Sequence, residues 1–133
     1  MWLTRSVKSF TFKNEYDTTS PFSDCDSLGL YIHVPFCESI CKFCPYCKVS
    51  YDKDLCDRYI DALIQEIHLV GSSYNSKKRT TSLYFGGGTP ALAIGRLKEI
   101  IDAVNEHFII TEGIGIELHP DNVTPTVLNA CKN

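Results

Sequence analysis

Short apolar runs alternate with amphipathic helical periods along this chain, and that alternation narrows its fold more than any other feature. LGLYIHVP, from Leu28 to Pro35, is nearly continuously apolar and partly β-branched, the pattern of a strand buried on both faces of a parallel sheet. Pro35 offers no N–H to a ladder and ends the run. From Asp54 to Val70 the spacing predicts a helix: Cys56, Ile60, Leu63, Ile67 and Val70 fall on one face, and Gly71 is placed as the C′ residue. TSLYF, Thr81 to Phe85, is a second strand that runs into Gly86, Gly87, Gly88, Thr89 and Pro90. A second helix is expected from Gly95 to Phe108, with Leu97, Ile100, Ile101, Val104 and Phe108 on one side. The third strand is expected from Gly113 to His119. Thr124 caps a third helix with Pro125 at its first position, and the chain stops at Asn133.

Strand, loop and helix thus recur three times, which implies right-handed crossovers and a parallel sheet. The expected fold class is α/β: a partial (β/α) barrel of three βα units, not closed. A complete eightfold barrel takes about 250 residues, and the chain has 133. Such an arc leaves an unpaired edge, so the expectation is a truncated piece that is inactive alone. Met1 to Ser27 is polar and without period, and is expected to form an N-terminal arm ahead of the N-terminal part of a core domain over 28–133.

Apolar residues make up 44% of the chain and charged residues 22%, values that support a buried core. A formal net charge of −3 argues against a general nucleic-acid binder. No apolar run approaches the roughly 20 residues of a membrane span, and the N-terminus has no continuous apolar stretch of the secretory kind. The expected setting is therefore the reducing cytoplasm, with no membrane partner.

In that setting the cysteines carry information. Cys37, Cys41, Cys44 and Cys47 crowd into one loop, whereas Cys25, Cys56 and Cys131 are scattered. A disulfide framework spreads its cysteines to close long loops; a tight cluster more often holds metal. The loop follows the first strand, at the carboxyl end where parallel α/β folds place their active sites. Three thiolates on an iron–sulfur cube leave the fourth iron open for a ligand, as catalytic metal sites do. Four thiolates suit a structural zinc ion equally well, and the Cys41, Cys44, Cys47 spacing matches part of a ferredoxin motif. Spacing alone leaves iron–sulfur and zinc near parity. Cys56 reads as core, and Cys25 and Cys131 as unremarked thiols.

The ordered set of motifs resembles a known family. The string from Leu30 through Tyr31, His33 and Phe36 to Cys37, Cys41, Phe43 and Cys44 resembles the radical S-adenosylmethionine superfamily. More closely it is similar to the oxygen-independent coproporphyrinogen III oxidase family and its relatives. Gly86 to Pro90 after the second strand, and Glu117 followed by Pro120, extend the resemblance from about Leu28 to the end.

The resemblance implies a role for each of these residues. Cys37, Cys41 and Cys44 would ligate a 4Fe–4S cluster. S-adenosyl-L-methionine would lie beside it, against Tyr31, with Phe43 at the adenine and Gly87, Gly88 and Thr89 at the methionyl amino end. Glu117 would bond a polar part of the same molecule, its ribose. The activity would be reductive cleavage of S-adenosylmethionine to a 5′-deoxyadenosyl radical, used for oxidative decarboxylation of coproporphyrinogen III in porphyrin biosynthesis. A reduced flavodoxin or ferredoxin would supply the electron, to a protein that is monomeric at full length.

Residue chemistry agrees, since a glycine run lets backbone groups approach a ligand and a carboxylate at a strand end accepts hydrogen bonds in fixed geometry. One departure stands out. The oxidases carry a fourth cysteine two positions after the third ligand, whereas Cys47 stands three after Cys44, and haem chaperone-like relatives lack it. A haem chaperone and a four-cysteine zinc module are therefore the alternatives. His33 is expected to be a hydrogen-bonded structural histidine, His119 could reach a cofactor, and His68 and His107 are expected at the surface.

Overall fold

The computed structural model describes Phe22 and residues 24–132, so most of the expected N-terminal arm lies outside the described residues. The chain runs β1 (Ser27–Val34), β2 (Phe36–Cys37), β3 (Val49–Ser50), α1 (Lys53–Ser72), β4 (Lys78–Gly87), a 3₁₀ segment (Pro90–Arg96), α2 (Leu97–His107), β5 (Phe108–Ile116), a 3₁₀ turn (Pro120–Asn122) and α3 (Pro125–Ala130). Strands β1, β4 and β5 form one parallel sheet in the order β1-β4-β5, and β2 pairs with β3 in a separate two-stranded ladder. The sheet is open, with three βα units, as the alternation in the sequence implied.

The helices build a layer over one face only. Ile32 and Val34 of β1 and Leu83 and Phe85 of β4 pack there against Cys56 and Ile60 of α1 and Leu97, Ile100 and Val104 of α2. Among the described residues nothing covers the opposite face: Tyr31 is 56% exposed and Tyr84 40%. This corrects the expectation that β1 is buried on both sides. Its burial alternates, Ile32 and Val34 inside and Tyr31 outside, because a single helical layer shields a single face. On the open face Tyr31 stacks against Tyr84, with ring centroids 6.3 Å apart. Tyr84 in turn lies over Gly115, where a Cβ would stand 2.6 Å from its ring.

Side-chain caps set the helix starts. Asp52 accepts from the Leu55 N–H at 2.8 Å, and Thr124 accepts from the Val127 N–H at 3.3 Å, the cap expected for α3. Arg96 joins the two larger helices at the surface. It bonds Asp61 of α1 at 2.7 Å and Glu99 of α2 at 2.9 Å, and these carboxylates raise its pKa further.

Several boundaries differ from the sequence reading. α1 continues past Gly71 to Ser72, and Gly71 is a buried residue of the last turn rather than a C′ cap. β4 begins at Lys78 and extends to Gly87. The segment before α2 is 3₁₀ with a break at Ala93, so the α-helix proper starts at Leu97. Phe108 is not the last helical residue. It turns extended (φ −127°, ψ 153°) and opens β5, and the β-branched Ile109, Ile110 and Thr111 that come next favour the strand. The third strand therefore runs from Phe108 to Ile116, and Glu117 and His119 stand just beyond its carboxyl end. α3 ends at Ala130.

Two substitutions test this core. Ile60 is fully buried, and Ile60→Ala is expected to cost on the order of 3 kcal/mol in urea unfolding. Thr80 is fully buried and its hydroxyl has no hydrogen-bond partner among the described residues. Replacement by the isosteric valine removes an uncompensated desolvation, so Thr80→Val is expected to raise stability by about 1 kcal/mol; a lowered urea midpoint would show that the hydroxyl is satisfied after all.

Candidate functional site

The carboxyl ends of β1 and β4 meet at a set of backbone hydrogen bonds. The Gly88 N–H donates to the Val34 carbonyl at 2.8 Å and the Thr89 N–H to the Phe36 carbonyl at 2.7 Å. The glycine run is thereby strapped to the first residues of the cysteine loop. Gly88 admits nothing larger than hydrogen: a Cβ would lie 2.5 Å from the Phe36 carbonyl oxygen and 2.9 Å from the Cys37 sulfur. Gly87 has φ +111°, a region that side chains avoid, and a Cβ there would meet the His33 ring at 2.7 Å.

The loop itself is tied at both ends. The Val49 N–H donates to the Pro35 carbonyl at 2.8 Å and the Tyr51 N–H to the Cys37 carbonyl at 2.9 Å, which draws the chain after the cysteines back beside the chain before them. Phe36, almost wholly buried, anchors the entry edge-on to Tyr59 and Tyr51. His33 Nε2 lies 2.8 Å from the Cys47 carbonyl. A carbonyl can only accept, so that nitrogen carries the proton, and Nδ1 is left to receive the Tyr31 hydroxyl at 3.3 Å. The Tyr59 hydroxyl fixes the backbone beneath by donating to the His33 carbonyl at 2.6 Å. Burial raises the pKa of Tyr59 above the usual phenol value, which keeps that donor protonated. The structural role expected of His33 is the one observed.

Between these ties lies a cavity of about 420 Å³, lined by Cys37, Cys41, Cys44, Gly87, Gly88 and Thr89 together with Glu38, Ser39, Lys48, His119, Asp121 and Asn122. Seven of the residues singled out in the sequence, His119 among them, therefore share one space. Tyr31 and Glu117 stand beside it at Gly86, whose absent side chain would meet the Tyr31 ring at 2.9 Å and the Glu117 carboxylate at 3.1 Å. Glu117 accepts from the Gly87 N–H at 3.3 Å and from the Tyr84 hydroxyl at 3.4 Å. Partial loss of water, and then the Glu117 charge, raise the phenol pKa of both Tyr31 and Tyr84. Phe43 is not in the lining and is 88% exposed. Cys47 is exposed and absent from the lining; its carbonyl, not its sulfur, is engaged.

Lys48 and the Asp121–Asn122 turn were missed in the sequence. Lys48 bonds the Cys44 carbonyl and places a positive charge on the cavity wall. Asp121 comes two residues after His119, whose Nδ1 accepts the Asp121 N–H at 3.3 Å. The one available signal was position: the turn after a third parallel strand must emerge at the same carboxyl end as the cysteines.

The donor set fits an iron–sulfur cluster. Three cysteine sulfurs, soft donors, line one space with the Gly87–Gly88 backbone, and the lack of a side chain at Gly88 leaves room at the Cys37 sulfur.

No protein-family model matches the chain. It is 34% identical over 99 residues to the oxygen-independent coproporphyrinogen III oxidase of Pseudomonas aeruginosa, a match covering 70% of this chain and 22% of that protein. It is 32% identical over 107 residues to the heme chaperone HemW of Bacillus subtilis, covering 77% of this chain and 28% of that protein. Among solved structures it is similar to the coproporphyrinogen III oxidase HemN of Escherichia coli, a radical SAM enzyme, with TM-score 0.72 and 31% identity over 80% of this chain and 25% of that one. The chain thus spans about a quarter of the length of the relatives it matches.

The glycine contacts give a paired test. Gly88→Ala must displace backbone and is expected to cost about 1–3 kcal/mol. Gly95, with nothing within 4 Å of a would-be Cβ, is the control, and Gly95→Ala is expected to be neutral or to stabilise by up to about 1 kcal/mol. Equal urea midpoints for the two variants would refute the close packing of Gly88 on the loop.

Proposed function

The chain is a distant homologue of part of the radical S-adenosylmethionine family that includes oxygen-independent coproporphyrinogen III oxidases and the heme chaperone HemW, and on that premise we propose that it carries the cofactor-binding portion of an oxidase of this kind. The observation behind this reading is that Cys37, Cys41 and Cys44 line one cavity with Gly87, Gly88 and Thr89 at the carboxyl ends of parallel strands. These cysteines would hold a 4Fe–4S cluster, and the glycine run, Tyr31, Phe43 and Glu117 would receive S-adenosylmethionine. When bound, the two supply one-electron reductive cleavage of a carbon–sulfur bond, the start of radical chemistry on a substrate.

The chain's own residues prepare the space. Gly87 and Gly88 present backbone rather than side chain, Glu117 orients the Gly87 N–H, and His33 fixes the far end of the loop through Cys47. Lys48, bonded to the Cys44 carbonyl, would offer its cation to an anionic group of a bound ligand. The substrate of the whole protein would be a small molecule of the tetrapyrrole class, coproporphyrinogen III in the oxidase reading. The electron would come from a reduced flavodoxin or ferredoxin in the cytoplasm, and the full-length protein would act as a monomer. Among the described residues no helix is long and apolar enough to cross a membrane.

A second reading, a haem chaperone, is favoured by two observations. The match to HemW is of similar strength to the match to the oxidase, and Cys47 stands three positions after Cys44, where the resemblance to the oxidases implies two.

Anaerobic reconstitution followed by iron and sulfide analysis tests the common core. About four of each per chain are expected, lost in Cys41→Ala and kept in Cys47→Ala. A single zinc ion per chain, or iron that depends equally on Cys47, would overturn the assignment. In the full-length protein, 5′-deoxyadenosine release coupled to porphyrinogen decarboxylation supports the oxidase, and haem transfer without it supports the chaperone.

A further inference from the structure

Far from the cysteine loop, α1 and α2 bring three potential ligands together. His68 lies in the last turns of α1, and Glu106 and His107 close α2. Each helix ends where a strand begins, so the trio sits at the amino ends of β4 and β5, opposite the ends that carry the cavity. His68 and His107, expected at the surface, are both half-buried. Their rings meet edge to face, and His68 Nδ1 lies 3.0 Å from His107 Nε2. Glu106 Oε2 is 3.7 Å from the same His68 nitrogen, and one ligand atom from each of the three lies within 4.8 Å of the others. Gly71, one turn after His68, makes the room: a Cβ there would stand 2.2 Å from His107 Cγ.

We propose that His68, His107 and Glu106 form a binding site for a divalent transition metal of the zinc class, which staples α1 to α2. A tetrahedral ion with ligands at about 2.0–2.1 Å holds its donors about 3.4 Å apart. The observed 3.0 and 3.7 Å lie on either side of that value and the third pair, His107 and Glu106, lies within 4.8 Å, so the ion draws the exposed Glu106 carboxylate in toward the two rings. Two imidazoles and one carboxylate suit zinc, nickel or copper and not magnesium or calcium. The His68 and Glu106 side chains are 40% and 64% exposed, so water can complete the coordination. Without an ion, two facing ring nitrogens must share a proton; the ion takes its place and the proton leaves to solvent.

The test uses the full chain with Cys37, Cys41, Cys44 and Cys47 changed to serine, so that loop thiolates do not compete, and Zn²⁺ as the probe. Calorimetry is expected to show one equivalent bound at micromolar concentration, and the ring-nitrogen resonances of His68 and His107 should shift together. His68→Asn is expected to weaken binding at least tenfold. Glu106→Gln, at an exposed position that leaves packing intact, should weaken it several-fold and decides the matter if His68→Asn fails to fold. In the unsubstituted chain the same resonances should shift once the thiols are saturated. No zinc binding with unmoved histidine resonances, or full affinity in both variants, would overturn the proposal and leave a proton-sharing histidine pair.

Discussion

Two backbone hydrogen bonds, from Gly88 to Val34 and from Thr89 to Phe36, hold the end of β4 against the start of the cysteine loop. They form only because Gly88 has no side chain, since a methyl group would occupy the space of the Phe36 carbonyl and crowd the Cys37 sulfur. The cavity, the exposure of the thiols toward it and the position of Gly87 beside Glu117 all rest on that close approach. Backbone polar groups at strand ends need partners, and here the same bonds that satisfy them also set the walls of the site.

The sheet supports this arrangement asymmetrically. Helices α1 and α2 bury one face, and the apolar residues there make the hydrophobic core. The other face carries Tyr31, Tyr84 and Gly115, with the Tyr31 ring stacked on that of Tyr84 and Tyr84 lying over the glycine. Tyr31 therefore has two tasks: its ring belongs to that open surface, and its hydroxyl reaches His33. Through His33 the open face is connected to the cysteine loop by a chain of hydrogen bonds that ends on a backbone atom.

Much of this was legible in the sequence. Periodicity found both long helices, because a single helical layer over a sheet demands one apolar stripe per helix. The loop cysteines were legible because four thiols between Cys37 and Cys47 are hard to explain otherwise. Boundaries were less so. The start of β5 was placed late, since Phe108 fits an apolar helix face as well as the core side of a strand, and only its extended dihedrals decide. Double burial of β1 was inferred from near-continuous apolarity, yet Tyr31 is apolar enough to fit that pattern while standing in the open. Lys48, Asp121 and the pairing of His68 with His107 depend on contacts between distant segments, for which a linear pattern carries no mark. Phe43 is selected by the family resemblance alone, partly for its backbone, and its ring is exposed.

The tie from His33 to residue 47 grips a peptide oxygen, an atom that every amino acid owns. Whatever side chain occupies that position, the loop's exit is pinned to the same imidazole. Position 47 is consequently free to drift, gaining or losing its sulfur without slackening the bend that presents the other three. Fidelity of the bend is written into strand β1 rather than into the last cysteine.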